Sequence, residues 1–287
     1  MTEPQLYSFL VRENDGSGRI VGYWSWGDVA AKKVIFCLHG MTRNGRDFDF
    51  LARRFMPDFR VICPDVAGRG TSGWIKDKSG YHNFTYAVDM LRLISFLRLQ
   101  EIYWIGTSMG GLIGMIVAAL RPGVIRKMVI NDVGPFITKE ALKRIAEYTG
   151  KNETFPDVAA AKVHFKKIYS PWKVNDFALE HMMKYGLNAV PGGFAMNNDP
   201  GIGAAFRDEK GNLKDFPDMD LWQYWEKITC PVLLLRGAES DILSEETAEK
   251  MTQTGPRARL IEFPGIGHAP SLMEEAQVEE VSGWLRK

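Results

Sequence analysis

The amino-acid sequence predicts an α/β fold built on a mostly parallel sheet. Three observations carry the expectation: apolar runs of strand length with no polar face, helical patterns between them at βαβ spacing, and glycine-rich turns directly after several runs. The 287 residues are 45% hydrophobic, enough for a sizeable core.

The chain opens with two strand patterns, 5–12 and 19–26, around the turn residues Asn14-Asp15-Gly16-Ser17-Gly18, a predicted hairpin that adds antiparallel strands to one side of the sheet. Val34-Ile35-Phe36-Cys37-Leu38 reads as a strand covered on both faces and ends at His39-Gly40. A helix is expected over 47–56, stopped by Pro57, and a second buried strand over 59–63 runs into Asp65-Val66-Ala67-Gly68-Arg69-Gly70-Thr71-Ser72. An amphipathic helix over 84–99 carries Val88, Leu91, Ile94 and Leu97 on one face.

Tyr103-Trp104-Ile105 then leads through Gly106-Thr107-Ser108-Met109-Gly110 into a helix, 108–120, with almost no polar side. That apolar character suits a helix packed against the centre of a sheet. A strand over 127–132 follows. From 134 to 228 the rhythm changes to three helical patterns, 138–149, 156–169 and 174–186, and a polar glycine-rich stretch with no convincing buried strand. This segment reads as an insertion dividing a core of 1–133 and 229–287. The strand pattern returns at 231–235 and 258–263, with helices at 244–254 and 273–286.

Composition narrows the function. With 36 basic and 35 acidic residues the net charge is +1, so no overall field recruits nucleic acid or an anionic membrane. No segment reaches the roughly 18 apolar residues of a membrane span, and the first residues carry no signal-peptide pattern. The three cysteines, Cys37, Cys63 and Cys230, lie in or beside apolar runs, as reduced thiols of a cytoplasmic protein would. No metal-ligand spacing, Walker A loop or dinucleotide fingerprint occurs, so no metal or cofactor is expected.

The chemistry is expected at Ser108. In G-x-S-x-G a sharp strand-to-helix turn projects the serine hydroxyl, and glycines at i−2 and i+2 let backbone segments meet there. A serine hydroxyl needs a base, and the base needs an orienting acid. His268, in a glycine-containing loop after a strand, is the predicted base; His164 and His181 are expected in surface or capping roles, and His82 in a polar loop. Asp241, beyond the strand ending at Gly237, is the preferred acid, with Asp132 as the alternative; both fit the order serine, acid, histidine. The amides of Met41 and Met109 are the predicted donors to a developing oxyanion. His39 and Arg43 are possible substrate contacts.

Taken together, His39-Gly40, Asp65-x-x-Gly68-x-Gly70-x-Ser72, Gly106-x-Ser108-x-Gly110-Gly111, and Asp241 with His268 make the chain resemble the α/β-hydrolase superfamily, in its lidded serine-nucleophile branch. The resemblance covers nearly the whole chain. It implies an eight-stranded, mostly parallel sheet, a helical lid after the sixth strand, and a triad of Ser108, His268 and Asp241 with Met41 and Met109 as oxyanion donors. Thr107 stands where many esterases and lipases of the family have histidine, and serine at 108 argues against the branches that use aspartate as nucleophile. The resulting expectation is hydrolysis of a small carboxylic ester or acyl substrate. Cleavage of a carbon–carbon bond in a dienoic keto-acid, with Arg43 and Arg46 on its carboxylates, and a low-turnover ligand receptor on the same fold are the alternatives.

Overall fold

The computed structural model describes every residue except 1, 2, 14, 15, 57, 152 and 209. Part of the predicted turn at 14–18 and the helix stop at Pro57 therefore lie outside the described residues.

The chain begins with strands β1 (Gln5–Arg12), β2 (Gly18–Trp26) and β3 (Val34–Leu38), then helix α1 (Asp49–Phe55) and β4 (Arg60–Pro64). Helix α2 (Asn83–Phe96), β5 (Ile102–Thr107), α3 (Met109–Leu120) and β6 (Ile125–Asn131) complete the first half. A long excursion follows, and the sheet resumes with β12 (Val232–Gly237), α8 (Glu245–Gln253), β13 (Arg259–Phe263) and α9 (Glu275–Arg286), the intervening labels belonging to the excursion.

Eight strands form one sheet in the order β1-β2-β4-β3-β5-β6-β12-β13. The β1–β2 and β2–β4 pairs are antiparallel and all others parallel, as the opening hairpin and the βαβ rhythm require. Because side chains alternate along a strand, the apolar runs feed both faces. Ile35 and Cys37 pack with Leu51 and Phe55 of α1 and Val278 and Val281 of α9. Phe36 and Leu38 join Trp104, Met90 and Leu93 of α2 and Ile113 and Met115 of α3 on the opposite face. Helix α3 is buried over nearly all its length, which accounts for its missing polar side. Truncating Ile113 to alanine is expected to cost roughly 2–5 kcal/mol. The three cysteines are free thiols, Cys37 and Cys63 buried.

The excursion contains β7 (Phe136–Ile137), α4 (Lys139–Tyr148), β8 (Thr154–Phe155), α5 (Val158–Tyr169) and α6 (Asp176–Gly186). It continues through β9 (Leu187–Val190), β10 (Gly193–Met196), β11 (Met219–Asp220) and α7 (Trp222–Trp225). The three long helices match their sequence patterns, but the segment is not wholly helical. Strands β8, β10 and β9 form a small antiparallel sheet, and β7 pairs with β11. These strands are two to four residues long and only partly buried, so they lack the apolar runs that mark strands of the main sheet. Phe155, Phe165, Trp172, Leu179 and Met182 give the segment an apolar cluster of its own. No helix among the described residues is long and apolar enough to cross a membrane.

Candidate active site

Ser108 sits at the junction of β5 and α3 with φ 52° and ψ −117°. A non-glycine residue held there stores roughly 1–3 kcal/mol of backbone strain, which persists because the surroundings impose it. The turn is as tight as the motif demands. A Cβ at Gly106 would stand 2.3 Å from the Gly110 carbonyl oxygen, and one at Gly110 would stand 2.1 Å from that of Leu38. The Ser108 amide donates to the Asn131 carbonyl (2.9 Å), tying the turn to the end of β6.

The loop after β13 delivers His268, whose Nε2 lies 2.9 Å from Ser108 Oγ. Its Nδ1 lies 2.8 Å from Asp132 Oδ2. Asp132 directly follows β6, is fully buried, and has φ 59°, a left-handed conformation that aspartate tolerates better than most residues. Its other oxygen, Oδ1, accepts from the Gly237 amide (2.9 Å), so each carboxylate oxygen has a fixed partner. The carboxylate is thereby aimed at the imidazole.

Asp241, the acid preferred from loop position, does not meet His268. It is half-exposed at the surface and pairs with Arg144 of α4, whose Nη2 donates to Oδ1 at 2.8 Å. Both aspartates follow strands that end on the same edge of the sheet, so strand order alone does not separate them. Asp132 is one residue past its strand, within fixed reach of His268; Asp241 is four past its own, in a polar loop that turns outward.

Met41, after β3, and Met109, the first residue of α3, both line the pocket that contains Ser108 and His268. The first amides of a helix have no intrahelical acceptor, and the positive end of the α3 dipole lies at the same point. The loop at Met41 is held from behind. His39 is fully buried; its Nε2 accepts from the Val66 amide (2.9 Å), which leaves Nδ1 to donate to the Gly40 carbonyl (2.8 Å). Since that carbonyl shares a peptide plane with the Met41 amide, His39 orients the amide. Burial pulls the His39 pKa down to about 3, so the ring is neutral at working pH. His39 is thus no substrate contact, because both ring nitrogens are occupied behind the loop.

Arg43 also departs from expectation. It borders the pocket, but its Nε and Nη2 are held by the Asp47 carboxylate, its guanidinium lies over the rings of Tyr169 and Phe165, and Nη1 faces Gly186. Arg46 is taken up by Asp49 and Tyr185. Among the described residues, the other arginine lining the pocket is Arg144. Sequence reading also missed Asn131, whose Nδ2 donates to Thr107 Oγ1 (3.1 Å) and to the Pro270 carbonyl (2.7 Å), bracing the residue before Ser108 against the loop that carries His268. A polar residue closing the apolar run of β6 was its visible signal.

Above Ser108 the pocket is walled by Leu112 of α3 and, from the excursion, by Ile137, Leu142, Ile145, Ile168, Trp172 and Phe206. Tyr148 lines it too; burial pushes its phenol up to about 12, so it remains a hydrogen-bond donor.

The model of the alpha/beta hydrolase fold family matches residues 33–275. The chain belongs to the alpha/beta hydrolase fold family. It is 38% identical over 266 residues to the 3-hydroxybutyrate-oligomer hydrolase of Cupriavidus necator, with 90% of each chain covered. Similarity also extends to the 2-(acetamidomethylene)succinate hydrolase of Mesorhizobium japonicum, 28% identical over 236 residues, covering 82% of this chain and 81% of that one. Among solved structures, an alpha/beta hydrolase from Novosphingobium aromaticivorans superimposes with a TM-score of 0.84 at 32% identity, covering 100% of this chain and 99% of that one. Membership in this family, together with hydrolase relatives that span nearly the full chain, makes the protein a hydrolase.

Proposed function

We propose that this protein is a serine hydrolase cleaving a carboxylic ester through an acyl-enzyme, with residues 134–228 forming a lid over the site. The observation that carries the reading is the unbroken line Ser108 Oγ, His268 Nε2, His268 Nδ1, Asp132 Oδ2, with contacts of 2.9 and 2.8 Å. Ser108 attacks the ester carbonyl while His268 takes its proton; Asp132 holds the ring in the tautomer that can accept it. The oxygen of the tetrahedral intermediate is received by the amides of Met41 and Met109, each such donor being worth roughly 10²–10³ in rate. His268 returns the proton to the departing alcohol, and water, activated by the same ring, cleaves the acyl-enzyme.

The apolar walls suit a short acyl chain, and Arg144 suits a carboxylate at the pocket rim, where it would exchange Asp241 for the substrate. A hydroxybutyrate oligomer, the substrate class in the Cupriavidus relative's name, has ester links and a terminal carboxylate, which supports assigning this protein an oligoester of a hydroxy acid. Commitment of Arg43 and Arg46 to Asp47 and Asp49 counts against the carbon–carbon reading, which relied on them. Three free thiols favour work in the reducing cytosol.

The test is labelling by a fluorophosphonate probe, with wild type labelled and Ser108→Ala not. An unlabelled wild type, or an equally labelled variant, contradicts the assignment. A parallel product survey with hydroxybutyrate dimers and a dienoic keto-acid is expected to show turnover of the dimers alone.

A further inference from the structure

Arg69 lies in the glycine-rich loop after β4 and is 1% exposed. Its fork of donors converges on the residues around the proposed oxyanion pocket. Nε donates to the Met41 carbonyl (2.9 Å), and Nη1 donates to the Ala67 carbonyl (2.8 Å) and the Tyr86 hydroxyl (2.9 Å). Nη2 lies 3.2 Å from the Met41 sulfur and 3.7 Å from the Met109 sulfur. Among the described residues no carboxylate pairs with the guanidinium, whose Cζ lies over the rings of Tyr86 and Tyr81, 5.0 and 5.8 Å from their centroids.

Two physical consequences follow. The peptide plane that carries the Met41 amide is fixed on its carbonyl side by His39, and the next plane is fixed by Arg69, so the amide direction is set from both ends. Arginine's fork is rigid and permanently charged, and a buried cation without a counter-carboxylate projects its field where the dielectric is low. The geometry points to Arg69 as the positioning residue of the oxyanion pocket: it locks the Met41 loop and contacts the side chains of both donor residues, so that the two amides converge on the acyl oxygen. This rests on the serine-hydrolase reading. Backbone bonds of the same loop to the excursion, Gly70 N to Asn197 O (3.1 Å) and Asp199 N to Gly68 O (2.7 Å), keep Arg69 from shifting.

The experiment compares wild type with Arg69→Met, Arg69→Lys and Tyr86→Phe in p-nitrophenyl acetate hydrolysis and in inhibition by an alkyl trifluoromethyl ketone. Addition of Ser108 Oγ to the ketone carbon, with its proton passing to His268, leaves the former carbonyl oxygen as an anion, so ketone affinity reads the oxyanion pocket directly. Arg69→Met is expected to lower kcat roughly 10- to 100-fold with KM within about threefold, and to weaken ketone binding by a matching factor. Arg69→Lys should fall between it and wild type, and Tyr86→Phe should stay within about threefold of wild type. If Arg69→Met does not fold, Arg69→Lys is judged by the same matched loss. Unchanged kcat in a folded Arg69 variant, or a kcat loss without loss of ketone affinity, overturns the inference while leaving Ser108 in place. A wild type that the ketone does not inhibit and fluorophosphonate does not label overturns the serine reading and this inference with it.

Discussion

Asp132 and Asp241 occupy equivalent places in the sheet and opposite physical situations. Each follows a parallel strand, β6 or β12, on the edge where Ser108 and His268 meet. Asp132 is fully buried, held in a left-handed backbone conformation, and its two oxygens are divided between the Gly237 amide and His268. Asp241 is half-exposed and binds an arginine from the excursion. The difference teaches that a carboxylate becomes an orienting group through immobilisation: with one oxygen fixed by backbone, the other has a single direction. A solvated carboxylate paired to a surface arginine can join two segments but cannot hold an imidazole in one tautomer.

The largest effect that sharpens this contrast comes from a double-mutant cycle. His268→Ala is expected to lower kcat for p-nitrophenyl acetate by on the order of 10⁴–10⁶, and adding Asp132→Ala should cost little more, because the two act as one unit. Adding Asp241→Ala should instead leave the small loss of the single variant unchanged in proportion. Full additivity for Asp132 would break the comparison.

Next in size is Asn131→Ala, which removes the brace between Thr107 and the His268 loop and leaves their acceptors unpaired. A stability loss of about 1–3 kcal/mol in urea unfolding is expected, with a kcat reduction well short of that for His268. Arg144→Ala is expected to raise KM for a carboxylate-bearing ester about tenfold, with kcat little changed, and to leave p-nitrophenyl acetate unaffected. Equal effects on both esters would remove Arg144 from substrate recognition.

A pH dependence of stability, separate from catalysis, gives a further check. His39 titrates near 3 in the folded protein, against an ordinary value of 6.5, so below about 6.5 the unfolded chain takes up a proton that the folded chain refuses. Protonation linked to His39 therefore lowers stability as pH falls from about 6.5 toward 3. In His39→Asn, the slope of unfolding free energy against pH over this window should be shallower than in wild type.

Much of the architecture is legible because its causes are local. The strands at 34–38 and 231–235 are continuous apolar runs, and Gly106 and Gly110 flag a turn in which no side chain fits. Ser108 and His268 are readable for the same reason, each placed by the short segment around it. The choice of acid is not local: it depends on which loop turns inward, and that is decided by Gly237 on a neighbouring strand and by Arg144, 97 residues from Asp241. The ion pairs that occupy Arg43 and Arg46 are local, with Asp47 and Asp49 four and three residues away respectively, yet residue spacing alone does not show which of these side chains turn inward together. In the excursion, strands of two to four residues carry too little pattern to distinguish them from loop.

The central claim is that Asp132, and not Asp241, holds His268 for attack by Ser108. Measuring kcat for Asp132→Asn and Asp241→Asn on one ester tests it most directly. Asn keeps the size of the side chain but offers no charge, and at the orienting position it favours the wrong imidazole tautomer. The prediction is a loss of about 10⁴ for Asp132→Asn and less than about tenfold for Asp241→Asn. A large loss in Asp241→Asn with near-normal turnover in Asp132→Asn would contradict it.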